Sequence, residues 1–262
     1  MKKTSLALII SSLIVAPSAF AEEDMHAFDP RNTSARVGAT VNTDNGELKA
    51  FAGYGAANLY DAGEGEQTQT ILFGEYFTDS DNMRARIAHF DSRFGGLYGD
   101  FFFSDYADSY TAGYMLPLET ADGKTKLFPS VNYSYIDIDD SLAARDISRK
   151  TGSTEEEIHK LLLDAGAKDA HMASLNLYAL HVWNDTHYTV VQAMAGQAVD
   201  GIDDLNFVDL MWVQGVQAYV KGQNINIFLE GRYHNIETDA FRNMGKQRKE
   251  DAKVSLGFDW RF

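Results

Sequence analysis

Along most of this chain, apolar and polar residues take turns. Val254, Leu256, Phe258, Trp260 and Phe262 interleave with Lys253, Ser255, Gly257, Asp259 and Arg261. In a β-strand these two sets face opposite sides, one toward lipid or a core and the other toward water. The same period of two runs through Ala35, Val37, Ala39 and Val41 against Arg36, Gly38, Thr40 and Asn42. It returns in Leu48, Ala50, Ala52 and Tyr54, in Val131, Tyr133 and Tyr135, in Leu175, Leu177 and Ala179, and in Ile225, Ile227 and Leu229. Turn-forming clusters such as Thr43 to Gly46, Asp79 to Asn82 and Ala121 to Gly123 separate the runs. Counting between them predicts twelve strands, starting near residues 35, 46, 66, 82, 96, 109, 124, 171, 186, 205, 223 and 250. The runs at 97–104 and 205–220 are the least regular. There Phe101 to Phe103 and Leu210 to Val213 interrupt the alternation.

One segment departs from the pattern. Within 138–170, Glu155, Glu156 and Glu157 precede Ile158, Leu161, Leu162 and Leu163, which reads as a short helix. Ser153 is the expected N-cap, the glutamates suit the helix N-terminus, and Gly166 marks a stop.

The first residues read as an address. Met1, Lys2 and Lys3 are followed by a mostly apolar stretch from Leu6 to Val15, and Ala19 and Ala21 flank Phe20 as small residues at a cleavage site. Residues 1–21 are therefore expected to be a signal peptide, and 22–34 a short periplasmic segment ahead of a barrel over 35–262. Beyond the leader, the longest stretch without Asp, Glu, Lys or Arg is Ala170 to Asn184, too short and too polar for a spanning helix of about 20 residues. A chain of this kind crosses a membrane only as a closed sheet. With the N-terminus on the periplasmic side, the two longest connections, about 138–170 and 238–249, are the seventh and eleventh, and both fall outside.

A soluble two-sheet sandwich also alternates. Tyr, Trp and Phe near the strand ends and the aromatic last residue favour the barrel. The end of the chain, Ser255, Gly257, Trp260 and Phe262 at their spacing, resembles the C-terminal insertion signal of the Gram-negative outer-membrane barrel superfamily. That resemblance implies an all-β, transmembrane, antiparallel up-and-down barrel with a helical insertion in a long extracellular loop. It also implies an outer-membrane location, recognition by the barrel-assembly machinery, and contact with outer-membrane lipid and lipopolysaccharide. A monomer is expected.

Charge and composition narrow the function. The formal charge is −15, and losing Lys2 and Lys3 with the leader leaves 21 basic against 38 acidic residues, a charge of −17. Such a surface does not suit nucleic acid. Cysteine is absent, which removes thiolate metal sites and cysteine nucleophiles. His89, Phe90, Asp91, Ser92 and Arg93 lack the spacing and the Asn-Gly of outer-membrane phospholipases, and neither a Gly-x-Ser-x-Gly elbow nor a His-Glu-x-x-His pair occurs. Glu155 and His159 stand one helical turn apart but lack a third ligand, and the acids at 137, 139 and 140 do not match a calcium loop. No enzyme, no cofactor and no metal is expected.

Placing the polar phase inward maps the lumen. The pore-lining set is Arg36, Lys49, Glu75, Arg84, Arg86, Glu230, Arg232, Lys253, Asp259 and Arg261, with Asp100 beside it. The last strand closes on the first, so Arg232, Lys253, Arg261, Arg36 and Lys49 share a wall. Opposite lie the neutral residues Ser130, Asn132, Ser134, Ser174, Asn176, Tyr178 and Gln192. A basic wall facing a hydrogen-bonding one favours small anionic solutes, such as acidic sugars. In plan this resembles the twelve-strand channels for acidic saccharides, without a motif match. Two functions stay open. One is a porin-like channel for passive diffusion whose selectivity rests on Arg36, Arg232 and Arg261. The other is a barrel in which Glu75, Glu230 and Asp259 neutralise the bases and plug the lumen, leaving the 138–170 loop as an adhesin-like or receptor-like surface.

Overall fold

In the computed structural model, the described residues are 25–262 apart from 106, 140, 142–143, 146–147, 149–153, 165–168, 203, 221–222 and 239–246. Twelve antiparallel strands close into a barrel. They are β1 (Arg36–Asn42), β2 (Leu48–Ala57), β3 (Thr68–Phe77), β4 (Asn82–Asp91), β5 (Gly95–Phe103), β6 (Ala107–Met115), β8 (Thr125–Ile138), β9 (Asp169–Val182), β10 (His187–Gly201), β11 (Asn206–Val220), β12 (Gln223–Thr238) and β13 (Gln247–Arg261). A two-residue strand, β7 (Leu118–Glu119), pairs onto the start of β8, and a helix, α1 (Glu155–Asp164), lies in the long connection. Each strand pairs with its neighbours in sequence, β6 pairs with β8 past β7, and β1 closes the circle on β13. Every strand begins within three residues of its predicted start.

The outward faces carry the apolar phase. Val254, Leu256, Phe258 and Trp260 are exposed, whereas Gly257, Asp259 and Arg261 between them are buried. An apolar outside and a polar inside are what lipid demands of a closed sheet. The two irregular runs are strands as well. In β11, Leu210 and Trp212 are exposed while Met211 and Val213 face inward.

The two ends differ. Both described ends of the barrel chain, Arg36 and Arg261, pair with each other at one end, here the termini end. The long connection with α1 lies at the other, the loop end. The loop-end rim is stepped. Strands β1 to β6 have 7 to 10 residues and β8 to β13 have 14 to 16. Only Ser255–Arg261 of β13 pair with β1, while Gln247–Val254 continue upward on β12, with the Thr43 N–H just past β1 donating to Val254 O at 2.9 Å. Not every termini-end connection is short, since 58–67 and 116–124 are both longer than a tight turn. At α1 Thr154 acts as an N-cap, while Ser153 and Gly166 lie outside the described residues. The Glu157 N–H donates to Thr154 Oγ1 at 3.3 Å, and the Thr154 N–H donates to Glu157 Oε2 at 3.2 Å, a reciprocal capping box.

Candidate functional site: the barrel lumen

Two sections of lumen follow one another along the axis. The upper section is polar. On its charged side Lys49 of β2 reaches Glu75 of β3 at 3.4 Å and Glu230 of β12 at 3.5 Å. Arg86 binds Glu75 at 2.6 Å, Arg232 binds Glu230 at 2.8 Å, and Arg84 holds Asp100 through Nε at 2.8 Å. His234 lies 3.3 Å from Asp209. Each base therefore has an acid. Side-chain exposure separates the partners: Arg86 is 37 % exposed over Glu75 at 4 %, Arg232 34 % over Glu230 at 10 %, and Arg84 26 % over Asp100 at 15 %. The pairs are neutral in sum, but in each of these three the carboxylate is the more deeply buried partner and the arginine side chain the more exposed.

The facing side is neutral. Asn132 Nδ2 donates to Ser174 Oγ at 3.1 Å, Asn176 Nδ2 donates to Ser130 Oγ at 3.1 Å, and Gln192 Nε2 donates to Asn176 Oδ1 at 2.8 Å. Thr111 and Ser134 share a hydrogen bond of 2.7 Å. Register explains the continuity in part: Ser130 of β8 stands beside Asn176 of β9, and Gln192 of β10, whose register partner is Tyr178, reaches Asn176 on the diagonal.

The lower section, at the termini end, is packed. Phe51, Leu180, Tyr188, Val190, Val213 and Phe228 point inward from β2, β9, β10, β11 and β12 and form one buried cluster. Two of the rings lie flat over a glycine of the next strand. A Cβ at Gly215 would stand 2.1 Å from the Tyr188 ring, and one at Gly257 would stand 2.2 Å from the Phe228 ring. Only glycine lets a ring come that close to the wall. Residues 25–34 fill what remains. Phe28 stacks on Tyr188 with ring centroids 4.8 Å apart and meets Phe228 edge-on at 5.4 Å. The guanidiniums of Arg36 and Arg261 stand 5.4 and 5.7 Å from its ring, within cation–π range. Those two arginines converge on Asp259 at 3.1 and 3.0 Å, with Asp259 fully buried.

The sequence-derived set is therefore divided between three places. Lys49, Glu75, Arg84, Arg86, Glu230 and Arg232 join in the upper section. Arg36, Asp259 and Arg261 belong to the packed seat and not to an open path. Lys253 sits apart near the loop end, between Glu47 at 3.6 Å and Asp251 at 3.4 Å. Among the insertion-signal residues, Ser255 pairs with Asn42 and Glu230 in register, Gly257 seats Phe228, Trp260 Nε1 donates to Gln223 at 3.2 Å, and the Phe262 N–H donates to Ala35 O at 3.1 Å. Ala19 and Ala21 lie outside the described residues. Sequence reasoning missed Phe28, Asp29, Tyr188 and Phe228. The available signal was an apolar residue on the inward phase, as at Phe51, Leu180, Val190 and Val213. Among the described residues, no group of three acids or histidines is placed to hold a metal ion.

No family model matches the chain, and no curated protein does. Among solved structures it is similar to the NanC porin, with a TM-score of 0.51 and 10% identity over 87% of this chain and 99% of that one. The outer membrane channel DcaP of Acinetobacter baumannii aligns at 10% identity over 87% of this chain and 95% of that one, with a TM-score of 0.34. At such identity the first likeness shows the fold alone: this chain shares the barrel of the NanC porin.

Proposed function

We propose that this protein is a porin-like channel of the Gram-negative outer membrane, through which small solutes diffuse passively, with a preference for anions. The observation that carries this reading is on the charged side, where Arg84, Arg86 and Arg232 are each more exposed than the carboxylate they pair with. Charges inside a narrow tube act at close range with little screening, so the exposed partner governs what enters. The hydrogen-bonding wall across from Arg84, Arg86 and Arg232 suits hydroxyl groups. A solute with a carboxylate at one side and hydroxyls at the other, an acidic sugar, would meet both walls. The fold shared with a porin supports a channel rather than an enzyme. The signal peptide, the assembly machinery, a lipopolysaccharide-bearing leaflet around the outward face and a monomeric state complete the proposal, with the termini end in the periplasm and the loop end outside.

Planar-bilayer recording in a salt gradient tests it. Stable steps with a reversal potential on the anion side are expected. A reversal potential on the cation side would overturn the selectivity. Silence with verified insertion, in every variant including those with an altered N-terminal segment, would favour a closed barrel that serves only as a platform.

A further inference from the structure

The packed section raises a question that the channel reading leaves open, because an aqueous path does not need six buried apolar side chains. A seat lined by Phe51, Leu180, Tyr188, Val190, Val213 and Phe228 would face water if nothing covered it. What covers it is Phe28 and its neighbours, and the segment that carries them is a small folded unit. The Asp29 N–H donates to His26 O at 2.9 Å, the Asn32 N–H donates to Asp29 O at 3.0 Å, and Asn32 Nδ2 closes the turn onto Met25 O at 2.8 Å.

Its attachments to the barrel wall are non-covalent ring contacts, hydrogen bonds and ion pairs. Phe28 and His26 both place a ring against Tyr188, the first stacked and the second edge-on, each with centroids 4.8 Å away. The Tyr178 hydroxyl donates to Phe28 O at 2.7 Å. Asp29, buried, holds Arg31 of its own turn at 2.9 Å and Lys126 of β8 at 3.1 Å. At the barrel end of the segment the Gly55 N–H donates to Thr33 O at 3.1 Å, so residues 33–35 continue alongside β2 while 25–32 reach across the mouth. The seat is also imperfectly satisfied. Among the described residues, Tyr188 OH, Asn226 Oδ1, one terminal nitrogen of Arg261 and His26 Nε2 are buried without a hydrogen-bond partner. Unpaired buried polar groups oppose closure, and an opened mouth hands them to water.

From this geometry we infer that residues 25–34 are a reversible plug. Seated, they shut the termini-side mouth of the lumen; withdrawal of Phe28 and Asp29 from their sites opens it, with the Thr33–Gly55 contact as the hinge. The inference rests on the channel reading, and supplies its regulation.

The test uses the full chain with Phe28→Ala and Asp29→Asn combined, recorded in bilayers beside the wild type. A second measurement guards against a folding defect. The chain has no cysteine, so Val190→Cys, under the plug, reports access through its rate of modification by a charged, water-soluble thiol reagent. The expected results are an open probability at least about tenfold higher and Val190→Cys labelling at least about tenfold faster when the plug is weakened, given what a lost buried ring and a lost buried ion pair are worth. Equal open probability and equally fast labelling in both backgrounds would overturn the plug and leave the channel standing. Equally slow labelling in both would overturn the plug as well. Faster labelling with no conductance in either protein would overturn the channel reading, and the gate with it.

Discussion

Two sections of one tube are built from the same strands on opposite plans. In β12 the inward residues pass from Phe228 to Glu230 to Arg232, in β10 from Tyr188 and Val190 to Gln192, and in β2 from Phe51 to Lys49. Each strand changes from apolar to polar within one pleat. The lower section excludes water by packing rings against glycines and against Phe28. The upper section keeps its inward groups polar and, in its three arginine–carboxylate pairs, leaves the base the more exposed partner. The difference teaches that strand period fixes which residues look inward, but only the chemistry of that inward phase says whether the section is a path or a core.

The comparison is broken most severely by unpacking the lower section. Phe228→Ala removes the ring wedged between Gly257 and Phe28 and should cost about 3–5 kcal/mol. Gly257→Ala should be comparably harmful, because its methyl group would stand 2.2 Å from the Phe228 ring. In the upper section Ser174→Ala deletes the acceptor of one Asn132 hydrogen bond and should cost about 1 kcal/mol. Denaturant midpoints in detergent micelles measure both. Equal losses in the two sections would mean that the lower one is not a packed core.

This division also marks what was legible in the sequence. The barrel was, down to strand starts, because a lipid-facing sheet imposes one strict period over its whole length. The pairing of Arg232 and Lys49 with acids on the same wall was legible too, since strand order fixes it. Two things were not. The inward phase was read as uniformly polar, although Val190, Val213 and Phe228 sit on it, and the interruption at Leu210 to Val213 was the visible trace of the seat. The position of residues 25–34 was not legible, because ten residues without a period carry no sign of where they dock. Arg36 and Arg261, grouped with the other bases by phase, differ from them only through that docking.

A second prediction sharpens the contrast between the two sets of arginines. Replacing Arg84, Arg86 and Arg232 by Gln removes the exposed guanidiniums and uncovers Glu75, Asp100 and Glu230. The reversal potential in a salt gradient should swing toward cations. Replacing Arg36 and Arg261 by Gln leaves that section untouched and strips Asp259 of both partners, so it should lower stability by roughly 3–5 kcal/mol while moving the reversal potential little. A larger shift from the second pair than from the first three would place the selective path through the seat and reverse the assignment made here.

The smallest expected effect concerns pH, and it bears on the plug alone. Burial, with Arg261 and Lys126 nearby, pushes the His26 imidazole down to about 4 against the pull of Asp29. Out of the seat it would titrate near an ordinary histidine, at about 6.5. A group whose value is lowered on seating binds best when neutral, so its contribution is complete above about 6.5 and is lost as pH falls toward 4. Asp29 acts in a lower window. Burial pushes its carboxyl up, but the Arg31 hydrogen bonds and the charges of Arg31 and Lys126 outweigh that and hold it below the usual carboxylate range, so its grip fails only in stronger acid. The other charged and titratable groups that face His26 across the seat are Arg36, Arg261, Lys126, Tyr178 and Tyr188, with Asp259 beneath the two arginines. Acidification from pH 7 to 5 should therefore raise the open probability roughly tenfold through His26. In the His26→Gln variant, which stays neutral, the response over that range should flatten. Should His26→Gln keep the full response, the proton would be acting elsewhere, and the acid residues of the loop end rather than the plug would have to carry it.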